Sequence, residues 1–258
     1  MKALFVMLLL PAALSARSPL KQEDLVLVQS GTFKMGSPED EGYRQDDEIL
    51  HQVEITRDFY IYRTEISQAL WKQVMGSNPS GSSMPRKDNY PVNNVNFFDI
   101  MEFCNKLSEI EGLTPAYNSS EDGFNCDFDA DGYRLPSEEE WEYAARGGHL
   151  SQEYQIYSGS NRIDGIAWYM GNSGNVIHPI AQKAPNILGL YDMTGNLWEW
   201  CWNVYQHYEG SSEEPTGIVI RGGSAGNMPY NCRNAFRNYV SGIQKDVSLG
   251  FRIVRTVP

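Results

Sequence analysis

The sequence predicts a loop-rich α+β domain, and three observations predict it. Six Trp, 15 Tyr and 23 Gly suit an aromatic-packed, irregular fold better than a helical bundle. The first 150 residues carry short strand patterns and three short helix patterns. From Gly148 to Pro258 only short apolar fragments occur, separated by Gly, Asn and Pro. With 258 residues, 41% of them hydrophobic, the chain can bury a sizeable core. No linker pattern divides it, so residues 17–258 are expected to form one domain.

Residues 1–16 read as a secretory signal. Lys2 supplies the positive start, Ala3 to Leu10 the apolar core, and Ala13-Leu14-Ser15-Ala16 the small residues for cleavage. The apolar run is too short to span a bilayer, and no later stretch is long and apolar enough. The first cysteine is Cys104, so a lipid-modified N-terminus is not supported. The expected location is extracytoplasmic: secreted, periplasmic or on the cell surface. A formal net charge of -12 repels phosphate backbones and argues against nucleic acid as a partner.

The elements follow from local patterns. Leu25 to Val28 and Gly31 to Met35 resemble a short hairpin. Val53, Ile55, Phe59 and Ile61 alternate as in one longer strand. Ser67 can cap a helix carrying Leu70/Val74 and Trp71/Met75. Asn78 to Tyr90 is a Pro/Ser/Gly loop. Asn96 opens a second helix with Phe97, Met101, Cys104 and Leu107 on one face, and Gly112 stops it. Ser137 and Glu140 form a capping-box pattern before Trp141 and Ala145, with Gly147-Gly148 as the stop.

Two acidic patterns suggest calcium. Asp127-Phe128-Asp129-Ala130-Asp131-Gly132 with Glu138 fits the EF-hand spacing. Its context argues against a site: no helix precedes it, Pro136 interrupts it, and Glu138 belongs in the next helix's first turn. In the second pattern, Asp192 and Glu199 flank a Gly turn, and the carbonyls of Gly195 and Leu197 lie between them. Hard oxygens of that kind suit calcium. The plainer alternative has Asp192 capping a turn and Glu199 paired with an arginine.

Cys104, Cys126, Cys201 and Cys232 allow three disulfide pairings, which the sequence does not choose among. No CxxC or His–Cys cluster suggests zinc. The four histidines are scattered and read as surface or packing residues. A phosphate loop and an HExxH helix are both missing, so nucleotide and zinc-hydrolase readings have no support.

Five segments together carry a family resemblance. They are Val28 to Ser37, Pro91-Val92-Asn93-Asn94-Val95, Tyr133 to Gly148, Gly195 to Trp200, and the frame from Arg221-Gly222-Gly223-Ser224 to Gly250-Phe251-Arg252. In this order they resemble the sulfatase-modifying-factor family, whose founding activity is formylglycine generation. The resemblance implies a C-type-lectin-like α+β fold with little regular structure and long ordered loops. It also implies a calcium ion at Asp192, Gly195, Leu197 and Glu199. Formylglycine generators hold copper through two thiolates, three and eight residues after the motif serine. Here the eighth position is Cys232 and the third is Asn227. An amide cannot replace a thiolate for Cu(I).

Two functions follow as expectations. The first is a non-catalytic binding module using the segment after Ser224: Ala225, Gly226, Asn227, Met228, Tyr230, Asn231, Asn234, Phe236, Asn238 and Tyr239. Small, amide and aromatic side chains of this kind suit adaptable recognition of a protein or other extracellular ligand. The segment also resembles the variable region of diversity-generating-retroelement proteins, although Ala225 departs from the Trp often found there. The second is a copper-dependent oxidase acting on a cysteine peptide near Ser224, Trp198 and Cys232. That requires a second sulfur from elsewhere, and Cys201 is a candidate. A Cys201–Cys232 disulfide is the plainer account in a secreted setting.

Overall fold

Ser67 accepts a hydrogen bond from the Leu70 N–H (3.1 Å) and starts helix α1 (Gln68–Met75). Asn96 and Asp99 close a reciprocal capping box on α2 (Phe97–Glu111), and Gly112 ends it in the left-handed conformation. Ser137 and Glu140 do the same for α3 (Glu138–Ala145). All three starts fall where the sequence predicts them. The computed structural model describes residues 18–82, 85–120, 123–206 and 217–257. The expected signal at residues 1–16 lies outside the described residues.

The strands in chain order are β1 (Leu25–Val28), β2 (Gly31–Met35), β3 (His51–Ile55), β4 (Phe59–Tyr62), β5 (Tyr117–Ser120), β6 (Gly123–Cys126), β7 (Tyr133–Arg134), β8 (Trp198–Val204), β9 (Ile218–Arg221), β10 (Asn238–Val240), β11 (Leu249–Gly250) and β12 (Val254–Thr256). One four-stranded sheet runs β1-β4-β12-β7, so the two ends of the domain meet in it. A second runs β10-β9-β8-β11. Two hairpins, β2-β3 and β5-β6, stand outside the sheets.

Two strand expectations are corrected. β1 and β2 do not pair with each other. β1 pairs antiparallel with β4, and β2 with β3. The two residues between them, Gln29 and Ser30, lack the Gly or Asn that a tight hairpin turn needs. Their N–H groups bond instead to His149 Nδ1 (3.1 Å) and Asp58 Oδ1 (2.7 Å). The expected single strand from Val53 to Ile61 breaks into β3 and β4, which belong to different sheets.

The largest core packs α1 and α2 against β8, β9 and β11 through Trp71, Phe103, Trp200 and Phe251. Trp71 stacks on Phe103 at 5.1 Å, and both meet Phe251 edge-on. A second core joins α3 to β4, β8 and β12 through Trp141, Ile61, Cys201 and Val254.

Buried ion pairs radiate from α3. Glu138 grips Arg237 through both oxygens (2.6 and 2.8 Å) and lies 3.4 Å from Arg221. Glu140 grips Arg134 (2.6 and 2.8 Å). Glu142, fully buried, pairs with both Arg146 and Arg221 and accepts the Gly36 N–H. The acidic residues from Asp127 to Glu138 have protein partners of their own. Asp129 pairs with Arg57, Asp131 accepts the Thr114 N–H, and Glu138 serves α3.

Removing a carboxylate from such a site leaves uncompensated buried cations, which typically costs about 3–5 kcal/mol. Glu142→Ala is expected to lose roughly that much stability in urea unfolding, whereas Glu139→Ala, whose carboxylate accepts from Asn203 and has no salt bridge among the described residues, should lose less than about 1 kcal/mol.

Candidate functional site

Arg221 ends β9, and Gly222 and Gly223 follow with φ of +92° and +74°. A Cβ on Gly223 would meet the Cys232 sulfur at 2.5 Å, so glycine is required for the loop to close on that thiol. Cys232 ends a short 3-10 helix (Pro229–Cys232) and lies in a small apolar cluster with Ile163, Ile166 and Ala167.

Asn227 stands where the family's first thiolate would be, and its amide oxygen and backbone are bonded to neighbouring loops. Its Oδ1 accepts from the Ser224 N–H (2.9 Å) and the Ser224 hydroxyl (2.6 Å). Its N–H bonds to the Ser224 carbonyl (2.9 Å), and its carbonyl accepts the Met170 N–H (2.9 Å). The amide therefore closes a turn and attaches the neighbouring loop. Cys232 is 1% exposed, and burial pushes its thiol up to about 12, against a small opposing effect of the Ser224 backbone.

Of the proposed oxidase residues, the Ser224 backbone adjoins the Cys232 thiol, whereas Trp198 and Cys201 pack in other clusters. All four cysteines are unbridged in this structure. Cys201 lies in the α3 core and Cys232 in the small cluster, so neither the expected disulfide nor a shared copper is built there. Trp198 belongs to the largest core and packs on Phe236 at 6.0 Å, apart from Cys232.

The predicted ligand-binding residues divide by exposure. Gly226, Met228 and Tyr239 are exposed, and Asn227, Tyr230, Asn231, Phe236 and Asn238 are half-buried. Ala225 and Asn234 are buried and are corrected to structural roles. Ala225 bonds through its N–H to the Asn196 carbonyl and through its carbonyl to the Ser173 hydroxyl. Asn234 is held by Gln155 and Ile156, and its carbonyl accepts from Arg221. The sequence reading missed two residues of this surface. Tyr43, 73% exposed, stacks on Tyr230 at 5.3 Å, and Met170 is exposed next to Asn227. Only the fold brings them near, since Tyr43 comes from a distant loop.

Asp192, Gly195, Leu197 and Glu199 surround a buried acidic centre. Glu199 gives both oxygens to Arg252 (2.6 and 2.7 Å), and one also accepts the Trp141 indole N–H (2.7 Å). Asp192 Oδ2 accepts the Ala181 N–H (2.7 Å), while its buried Oδ1 has no hydrogen-bond partner. Glu65, missed in the sequence, lies in the same centre and accepts from Asn196 Nδ2 (2.7 Å) and the Leu197 N–H (3.0 Å). Three carboxylates thus face one guanidinium. Burial, then Asp192 and Glu199, push Glu65 well above the usual carboxylate range, and burial raises Asp192 to about 6. The centre lacks positive charge and holds an orphaned oxygen, which fits a divalent cation sharing Glu199 with Arg252. Among the described residues no three His, Cys, Asp or Glu side chains alone form a metal cluster, so carbonyls would have to complete the shell.

Residues 11–257 match the sulfatase-modifying factor enzyme 1-like domain. The chain therefore belongs to that family, and the fold is of the formylglycine-generating-enzyme type. A curated relative, "Chaperone protein LppX" of Paenibacillus barcinonensis, is 36% identical over 256 residues, covering 85% of this chain and 86% of the relative. Among solved structures, Treponema denticola variable protein 1 superposes with a TM-score of 0.80 at 29% identity, over 90% of this chain and 95% of that one. CarF superposes at 0.74 with 25% identity, over 91% and 98%. Among the described residues no helix is long and apolar enough to cross a membrane.

A thiol pushed up by burial favours the neutral form, so Cys232 adds stability that is complete below about pH 9 and lost as pH rises towards about 12. Iodoacetamide at pH 8 is expected to leave Cys232 unmodified in the folded protein and to label it after unfolding, as read by peptide mass.

Proposed function

We propose that this chain is a non-catalytic, extracytoplasmic binding module of the sulfatase-modifying-factor family. Its ligand would meet the surface made by Gly226, Met228, Tyr230, Asn231 and Tyr239, with Tyr43 alongside. The observation that carries the reading is the fate of Asn227. Its amide oxygen is spent on Ser224, so Cys232 has no sulfur partner for Cu(I). A buried, protonated Cys232 is also a poor metal ligand and nucleophile.

The likeness to a variable protein supports recognition as the activity, and the chaperone name of the curated relative supports a polypeptide ligand. The apolar N-terminal run supports export. Tyr and Asn offer stacking and hydrogen bonding at modest entropic cost.

Purified mature protein, incubated with Cu(I) and a Cys-x-Pro-x-Arg peptide, is expected to leave the peptide thiol intact by mass. Conversion of that cysteine to formylglycine overturns the reading.

A structural calcium ion at Asp192, Gly195, Leu197 and Glu199 is the second part of the proposal. The orphaned Asp192 Oδ1 and the excess of carboxylate support it. Calcium in hundredfold excess over its Kd would add about 2.7 kcal/mol. The parent protein should melt several degrees higher with calcium than with chelator, and Asp192→Ala should abolish that difference. A parent whose Tm ignores chelator has no such site.

A further inference from the structure

We propose that Cys104 and Cys126 form a disulfide that ties the β5-β6 hairpin to helix α2. The family reading assigns these cysteines nothing, and the pair lies away from the surface described above.

The geometry comes from three linked observations. Asn105, next to Cys104, grips the backbone of Tyr117 from both sides: its Nδ2 donates to the Tyr117 carbonyl (2.7 Å), and its Oδ1 accepts the Tyr117 N–H (3.0 Å). Tyr117 is the cross-strand partner of Cys126. Partners in such a pair place their side chains on one face. Cys104, Tyr117 and Cys126 accordingly share the largest core, and all three are buried. The two sulfurs also sense each other: a charge on Cys126 would raise the Cys104 thiol, and both thiols act on the Tyr117 phenol.

The hairpin needs such a tie. Gly123, Phe124 and Asn125 are exposed, so Cys126 alone anchors β6 in the core. An isolated two-stranded hairpin is marginal in water. A bridge to α2 would also fix Phe124, which packs on the exposed Phe98 of α2 at 5.3 Å. Together these two rings form one wall of an apolar cleft completed by Trp202 and Ile243.

The chemistry is thiol–disulfide exchange. One sulfur–sulfur bond forms as two thiols lose two protons and two electrons. A disulfide-bearing oxidant accepts them, and its own sulfur–sulfur bond breaks to give two thiols. In this structure the two sulfurs are unbridged thiols, and burial favours their protonated form, pushing Cys126 up to about 12 and Cys104 well above the usual thiol range. The bond must therefore form while the hairpin docks, before the core closes.

Reduced, denatured mature chain should be refolded in a glutathione redox buffer, then denatured and assayed. We expect two titratable thiols instead of four, a mass lower by two hydrogens, and one linked peptide joining Cys104 to Cys126. The bridged form should melt about 5–10 °C above its reduced form. Cys104→Ser and Cys126→Ser should each show three thiols and no response to reductant. Four thiols in the refolded parent, or a bridge through Cys201 or Cys232, overturns the proposal. The linkage does not depend on where the protein works. The same map on chain recovered from outside cells tests that reading separately: a bridge made in vitro but missing there counts against export, not against the pairing.

Discussion

Six arginines, Arg134, Arg146, Arg221, Arg233, Arg237 and Arg252, are buried in a chain with little regular structure. Each is held by a carboxylate, and α3 supplies three of those carboxylates within five residues. The pairing is not the whole of their work. The free arms of each fork donate to loop carbonyls. Arg221 reaches Asn234, Ala235 and Phe236, and Arg252 reaches Tyr62, Arg63 and Tyr191. Loops buried in a core carry carbonyls that no helix or sheet satisfies. A guanidinium offers five donors in a fixed plane, so it can satisfy several at once. Apolar substitutes could match the energy of an ion pair, but they could not saturate those carbonyls.

Helix α3 therefore fixes the site from beneath. Trp141 leans on Glu199, Glu199 holds Arg252, and Arg252 binds the backbone beside Asp192. Glu142 and Glu138 hold Arg221, whose fork fixes the backbone on which Phe236 and the segment's second half hang. Asn196 ties the two regions together. It binds Glu65 on one side, and its carbonyl accepts the Ala225 N–H on the other. The acidic centre and the proposed binding segment are thus joined through one loop.

The parts legible in the sequence are those set by local chemistry. Ser67, Asn96 and Ser137 are caps whose side chains bond within three residues, so their helices could be placed closely. Strand partners could not, because β1 pairs with β4 and β12 closes the sheet from the far end of the chain. That position 227 carries an amide and not a thiol is plain in the sequence, but its role as a turn closure depends on Ser224 and Met170. Glu65 gave no signal: an acid beside Thr64 and Ser67 resembles a solvated turn until the fold buries it. Ala225 and Asn234 mislead for a related reason. Small and amide side chains suit both recognition and tight packing, and only depth separates the two.

The same division explains how the scaffold can shed a reactive thiol and keep its shape. The groups that hold the loops around α3 are Arg, Glu, Trp and Gly, and none of them is a thiol. A thiolate at position 227 would offer one weak acceptor, whereas the amide oxygen satisfies two donors of Ser224 at once. On the proposed reading, an amide there forgoes the thiolate that Cu(I) requires and closes the loop on Ser224. The neighbouring surface is released from the geometry a metal would impose. Its exposed Tyr and Met side chains can then change with little cost to the core, because the backbone beneath them is held by Arg221 and Arg233 rather than by the side chains themselves.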